Sequence, residues 1–202
     1  MTKVKICGVT SVDDALMAAE AGADAIGLNF YPRSPRCVGV EVAAAIAAAL
    51  PAGVCRVGVF VDAPREQVLA IAARVGLDAL QFHGDEGAEL CAGWDRKTIK
   101  AVRVRDAEAL ARAAAYPVDF ILADAYVKGR AGGTGQRVPA AWLAGVAAQR
   151  LILAGGLDPD NVVEAIQLVR PAAVDVASGV ERAPGVKDPE KVGRFVSNAK
   201  SA

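Results

Sequence analysis

A closed barrel of eight parallel strands, each followed by a helix, is the fold this sequence predicts: a single (β/α)8, TIM-barrel domain over residues 1–202. Three observations predict it. A short β-rich run, a turn and an alanine-rich amphipathic segment recur about eight times, with strand starts at roughly 25-residue intervals, as βα units require. Alternation of strands with helices implies a parallel sheet covered on its outer face. Finally, 202 residues suit eight units with minimal loops, since such barrels take ~250 residues and rarely fewer than ~200. A doubly wound open sheet is the alternative. It would place Gly-x-Gly-x-x-Gly after the first strand, where this chain has Cys7-Gly8-Val9-Thr10.

The first strand is read as Lys3–Cys7. Gly8 turns the chain, and Ser11, with Asp14 three residues on as in a capping box, opens the helix Val12–Ala21. Gly22 reverses the chain into the strand Ala25–Phe30. A longer excursion, Tyr31–Val40, precedes the helix Val42–Leu50. The strand Cys55–Val61 and the helix Arg65–Val75, ended by Gly76, form the third unit. The fourth pairs Ala79–Phe82 with Gly87–Ala92, and the fifth pairs Thr98–Arg103 with Ala107–Ala115. Phe120–Asp124 is the sixth strand, followed by the second long excursion, Ala125–Pro139, and the helix Ala140–Ala148. After Leu151–Ala154, Asp158-Pro159 sets a capping carboxylate before a proline at the start of Asp160–Val169. After Ala173–Ala177, Asp188-Pro189 does the same for Pro189–Ala199.

Composition removes several function classes. Apolar residues are 53% of the chain, enough for a large core, and 23 basic against 23 acidic residues with no basic run argue against a nucleic-acid partner. Any anion must then be held by local features rather than by a global field. The cysteines Cys7, Cys37, Cys55 and Cys91 form no Cys-x-x-Cys pair, and His83 is the single histidine, so a zinc site is not expected. No signal segment or membrane-length apolar run is present, which predicts a cytoplasmic protein without membrane contact and with free cysteines. With no oversized apolar stripe on its surface, a monomer is expected.

The strand ends carry the chemistry. In a barrel they converge on one face, where active sites form. Cys7 ends the first strand, Gln81-Phe82-His83-Gly84 the fourth, Asp124 the sixth, Ala154-Gly155-Gly156-Leu157 the seventh and Ala177-Ser178-Gly179 the eighth. A free cysteine is commonly a small buried hydrophobe, and Cys37, Cys55 and Cys91 are read that way. Cys7 stands apart because Gly8 leaves room above it and because alternation turns Lys5 to the same side. A cation beneath the thiol would favour thiolate. Asp124 ends an otherwise apolar strand and either caps the following turn or acts as an acid. To hold a proton near neutral pH its pKa must rise ~3 units from ~3.9, worth ~4 kcal/mol. Gly155, Gly156, Ser178 and Gly179 read as tight turns or as a phosphate cradle of bare backbone amides, and the loops after strands seven and eight are the usual phosphate site. Gly132–Gly135, with Gly133 at its centre, would close over the same phosphate or remain a plain surface loop. Arg33 and Arg36 lie on a proline-stiffened loop suited to gripping a carboxylate. His83 either orients substrate or caps its strand, and Lys5 with Asp175 forms an ion pair inside the barrel.

Taken together, these segments resemble the phosphoribosylanthranilate isomerases. The marks are Val4–Thr10, Phe30–Arg36, Arg56–Val61, Gly132–Gly135, Ala154–Leu157, Asp175–Glu181 and Pro184–Asp188, in order along nearly the whole chain. The family's common Gln-Leu-His-Gly stands here as Gln81-Phe82-His83-Gly84, and its variable small residue is Ala177, which contributes backbone at most. The resemblance implies an isomerase of tryptophan biosynthesis that performs an Amadori rearrangement on a phosphoribosylated anthranilate, without cofactor or metal. It implies that Asp124 protonates the ribose ring oxygen, Cys7 removes the C2 proton, Arg36 binds the anthranilate carboxylate, and Gly155, Gly156, Ser178 and Gly179 hold phosphate. A different barrel isomerase acting on a sugar phosphate is the main enzyme alternative, but the related histidine-pathway isomerases use paired aspartates, with an acid where this chain has Cys7. A non-catalytic phosphometabolite-binding protein would keep the glycine loops without needing both Cys7 and Asp124.

Overall fold

The computed structural model describes residues 1–104, 106–124 and 146–202. Eight parallel strands close into a barrel in chain order: β1 (Lys3–Cys7), β2 (Ala25–Asn29), β3 (Cys55–Phe60), β4 (Ala79–Phe82), β5 (Lys97–Arg103), β6 (Phe120–Asp124), β7 (Leu151–Ala154) and β8 (Ala173–Val176). The predicted strands are all present, with ends shifted by at most one residue. β1 and β8 close the ring in register, with Lys5 opposite Asp175. A short antiparallel hairpin, β9 (Glu181–Ala183) with β10 (Val186–Lys187), follows β8 and was not anticipated.

Alternation along each strand separates two cores. Val57, Ala79, Ile99, Ala101, Leu122, Ile152 and Ala154 fill the barrel interior. The opposite faces, among them Ile6, Ile26, Leu28, Leu80 and Ile121, pack against the surrounding helices. The last helix, Pro189–Ser201, buries Val192, Phe195, Val196 and Ala199 and covers the β1–β8 closure.

Three helix starts repay comparison with their sequence signals. Asp188 caps the last helix through bonds from the Glu190 and Lys191 amides, as its proline-flanked position predicts. Asp158 does not cap a helix. Its carboxylate takes the amides of Asp160 and Asn161, and the helix begins only at Val162. The side chain of Asn161 returns the bond to the Asp158 amide and also holds the Gly156 carbonyl, so the pair clamps the loop after β7. Half of the Ser11 box forms: Ser11 accepts from the Asp14 amide, while Asp14 turns to the Lys187 amide. The predicted helix Ala140–Ala148 lies almost wholly outside the described residues, and its end runs into a 3₁₀ turn, Ala148–Arg150.

At the amino-terminal end of the barrel a motif repeats every two strands. The residue before β2, β4 and β6 is Asp24, Asp78 and Asp119. Each carboxylate accepts the amide of the second residue of the preceding strand: Val4, Arg56 and Thr98. Each also pairs with a cation beside that amide: Lys3, Arg56 or Lys97. Asp24 gains Lys200 from the last helix. Burial would push the Asp24 carboxyl up, but the bonds from Lys200, Lys3 and the Val4 amide outweigh it and hold its pKa below the ordinary value. A depressed folded-state pKa contributes stability above the unfolded value of ~3.9 that is lost as pH falls through the folded one. Asp24→Ala is therefore expected to cost about 1.5–3 kcal/mol at pH 7, the range for hydrogen bonds to charged groups. In urea unfolding that deficit should shrink as pH falls below the ordinary carboxylate value and vanish once Asp24 is protonated in the folded state as well.

Candidate active site

The carboxyl ends of the strands gather the predicted residues at one mouth. Cys7 ends β1, His83 follows β4, Asp124 ends β6, Gly155 and Gly156 follow β7, and Ser178 and Gly179 form part of a 3₁₀ turn, Ser178–Val180, after β8. Arg36 reaches over from the loop after β2. Gly133 lies outside the described residues.

Beneath the mouth lies a buried ion pair. Lys5 Nζ donates to Asp175 Oδ1 at 2.7 Å, and both side chains are under a tenth exposed. Burial opposes the ammonium charge, yet Asp175 and Cys7 beside it hold the Lys5 pKa above that of an ordinary lysine. Lys5 does favour the thiolate, as the sequence leads one to expect, but burial outweighs it. Burial pushes the Cys7 thiol above its ordinary value, and the Lys5 charge, which lowers it, is offset in part by Asp175. Burial also pushes the Cys55 and Cys91 thiols up, to about 11, against the fields of Lys5 and Arg56 at Cys55 and of Lys100 at Cys91; Cys7 differs in taking a hydrogen bond from Lys5. Gly27 on β2 makes the cluster possible: a Cβ there would stand 2.8 Å from Cys7 Sγ and 2.9 Å from Lys5 Nζ.

Across the mouth, Asp124 is partly buried. Burial raises its pKa; His83 and Arg103 lower it, and Asp175 raises it. His83 is pushed down by burial against the fields of Asp124 and Asp175, which keeps the ring neutral at pH 7. Its Nδ1 lies 2.8 Å from Gln81 Nε2, an amide buried inside the barrel. The Gln81 Oε1 atom is buried without a hydrogen-bond partner. Arg103, the last residue of β5, stands in register with Asp124 and is exposed at the mouth. Sequence reading passed over it. Its position two residues beyond the inward-facing Ala101 was the available signal.

Backbone geometry builds a cradle after β7 and β8. Gly155 and Gly156 take φ of +87° and +65°, conformations glycine adopts without strain. A Cβ on Gly179 would stand 2.0 Å from the Leu157 carbonyl oxygen, so only glycine lets the two loops touch. A glycine has no side chain of its own to cover its amide, the arrangement that suits an anion.

Arg36 is held firmly. Its Nε and Nη2 fork onto Glu181 Oε1 and Oε2 at 2.9 and 2.7 Å. The fork leaves the Nη1 side of the guanidinium turned away from Glu181 and able to meet a second carboxylate. The loop is shaped less by its prolines than by Ser34 and Asn29: Ser34 Oγ accepts the Arg36 amide, and Asn29 bonds both Ser34 and the Tyr31 amide. Arg33 is exposed. Among the described residues no cluster of His, Cys, Asp or Glu is arranged to hold a metal ion, and no helix is long and apolar enough to cross a membrane.

Comparison with known proteins adds to this geometry. The family model for N-(5'-phosphoribosyl)anthranilate (PRA) isomerase matches residues 4–198. The N-(5'-phosphoribosyl)anthranilate isomerase of Citrifermentans bemidjiense is 53% identical, over 99% of this chain and 98% of its own. The crystal structure of phosphoribosyl anthranilate isomerase from Thermotoga maritima superposes with a TM-score of 0.91 at 43% identity, covering all of both chains. A second isomerase structure, in complex with reduced 1-(o-carboxyphenylamino)-1-deoxyribulose 5-phosphate, gives 0.88 at 41% identity with the same coverage. A third describes monomers generated from the dimeric Thermotoga maritima isomerase, at 0.87 and 40%, again with full coverage of both chains.

Proposed function

This chain belongs to the N-(5'-phosphoribosyl)anthranilate isomerase family, and on that premise we propose how its own residues perform the Amadori rearrangement of N-(5'-phosphoribosyl)anthranilate in tryptophan biosynthesis. The product is 1-(2-carboxyphenylamino)-1-deoxy-D-ribulose 5-phosphate, the compound whose reduced form occupies one of the related structures.

The observation that carries the assignment is geometric. Cys7 ends β1, Asp124 ends β6 and His83 follows β4, all at one mouth of the closed barrel above the buried Lys5–Asp175 pair. These groups therefore share one small space, as a reaction with separate acid and base steps requires. Asp124 gives its proton to the ribose ring oxygen as the C1–O bond breaks, and the anilino nitrogen lone pair forms the Schiff base. Cys7, as thiolate, takes the C2 proton, and the C2–H electron pair neutralises the iminium to leave an enolamine. Protonation at C1 and loss of the enol proton give the ketone. One proton leaves Asp124 and one arrives at Cys7, so the enzyme's net charge is unchanged and the proton returns before the next turnover. The neutral His83 donates a hydrogen bond without adding charge. Arg36 takes the anthranilate carboxylate, and the amides around Gly155, Gly156, Ser178 and Gly179 take phosphate, with Gly133 assigned to the same anion by sequence.

Decay of the fluorescence of the anthranilate-linked substrate tests the reading, together with rescue of a tryptophan auxotroph lacking this isomerase. Purified protein that leaves the fluorescence unchanged overturns it. Gly27→Ala gives a finer check. The added methyl forces Cys7 and Lys5 aside, and displacement of a reacting group by ~1 Å costs ~10²-fold in rate. Overpacking costs only ~1–3 kcal/mol of stability. Turnover should therefore collapse in a variant that urea unfolding shows to be folded.

We also read the chain as a cytoplasmic monomer. Its four cysteines are all free, as in a reducing compartment. The large apolar side chains exposed among the described residues are Met1, Val42, Leu69 and Leu168. The dimeric Thermotoga maritima relative makes sedimentation equilibrium the deciding measurement.

A further inference from the structure

The β9–β10 hairpin ends in Lys187, whose side chain is 0% exposed. Its ammonium meets three oxygens: the Cys7 carbonyl at 2.6 Å, Glu181 Oε1 at 2.8 Å and the Ala177 carbonyl at 3.3 Å. Three donors thus meet three acceptors, one at the end of β1, one just before the Ser178–Gly179 turn and one on the hairpin itself. The hairpin is anchored in turn, since the Lys187 amide bonds to Asp14 and Thr10 donates to the Gly185 carbonyl. Glu181 Oε1 also receives the Gly185 amide, and both its oxygens carry the Arg36 fork. The Arg36 chain lies flat over Gly8, where a Cβ would come within 2.5 Å of its Cδ. Replacing a buried ion pair by apolar residues is commonly neutral or stabilising, so folding alone does not call for a buried ammonium here. Its contacts fall on the main chain of the base, on the entry to the phosphate loop and on the partner of the carboxylate-binding arginine.

We propose that Lys187 and Glu181 are positioning residues of the isomerisation: Glu181 aims Arg36 at the substrate carboxylate, and Lys187 fixes the Cys7 main chain relative to that grip and to the phosphate loop. The inference rests on the roles given above to Arg36 and Cys7.

A double-mutant cycle in steady-state kinetics tests the Glu181 arm. Glu181→Gln keeps the size but turns an amide N–H toward the donors of Arg36 or Lys187, which breaks the fork. KM should rise about tenfold, with kcat changed less than about threefold, the pattern of lost uniform binding. Arg36→Ala should raise KM at least as much, and Glu181→Gln added to Arg36→Ala should change it no further. Equal effects of Glu181→Gln in both backgrounds, or no rise in KM at all, overturn the inference and leave the Arg36 assignment standing. An Arg36→Ala variant with unchanged KM overturns the Arg36 assignment, and the Glu181 role falls with it. Lys187→Met tests the other arm through the pH profile. Lys187 is one of the cations that lower the Cys7 pKa, so its loss should move the alkaline break of kcat/KM upward and reduce kcat about tenfold or more. A folded Lys187→Met variant with the wild-type break and kcat refutes that role.

Discussion

Asp124→Asn is expected to lower kcat by about 10²–10⁴-fold, the usual contribution of a general acid, and to change the form of the pH–rate profile. In the proposed mechanism the active form has Asp124 protonated and Cys7 ionised. Between the two pKa values, the fraction of protonated acid falls with pH as fast as the fraction of thiolate rises. Wild-type kcat/KM is therefore flat in that interval and falls on either side. Burial raises the Asp124 pKa, so the acid-side break should lie above the ~3.9 of a free aspartate. With the carboxyl replaced by an amide only the thiolate limb remains, and residual activity should climb steadily with pH through the interval. A variant that keeps wild-type kcat, or a flat profile that survives the substitution, removes Asp124 from the acid role.

Cys7→Ala should be comparably damaging, by about 10²–10⁴-fold in kcat, with KM little altered because the substrate anions are held elsewhere. The comparison that gives this meaning is Cys55→Ala, which removes a thiol that burial pushes up to about 11 inside the same barrel. Cys55 lies at the amino-terminal start of β3, far from the mouth, and its loss should leave kcat within about twofold. Since burial also raises the Cys7 pKa, the plateau of the wild-type profile should extend beyond the ~8.5 of a free thiol. Near-normal turnover by Cys7→Ala would transfer the base role to another group, with the His83 ring the first to examine.

The barrel was legible because its signals are local and repeated. Apolar runs such as Phe120–Ala123 and Leu151–Ala154 are too short for helices, and each is bounded by turn residues. Strand-end logic likewise brought Cys7, His83, Asp124 and the Gly155-Gly156 and Ser178-Gly179 turns to one mouth without any coordinates. What escaped the sequence was long-range pairing. Glu181 and Lys187 read as ordinary charges near a turn, yet they reach residues 145 and 180 positions away, Arg36 and Cys7. The net effect on the Cys7 thiol was missed for the same reason. Alternation along β1 revealed Lys5, and its pairing with Asp175 was read from the sequence, whereas the burial that outweighs the cation at Cys7 arises only when the barrel closes. Asp158 was misassigned because the Asp-Pro signal marks both helix caps and tight turns, and Asn161 decides between them from three residues downstream.

The aspartates at the amino-terminal rim lace the strands in pairs: β1 to β2, β3 to β4, β5 to β6. Symmetry would put a fourth at the residue before β8, where Ala172 stands instead. That quadrant of the rim lacks the carboxylate stitch and keeps the backbone one, from the Ala172 amide to the Ala148 and Leu151 carbonyls, and amide exchange at the start of β7 should outpace that at Val4, Arg56 and Thr98. All of this lacing sits at the far end from the proposed catalytic groups. The barrel can therefore be hardened or loosened from below while its chemistry continues undisturbed above.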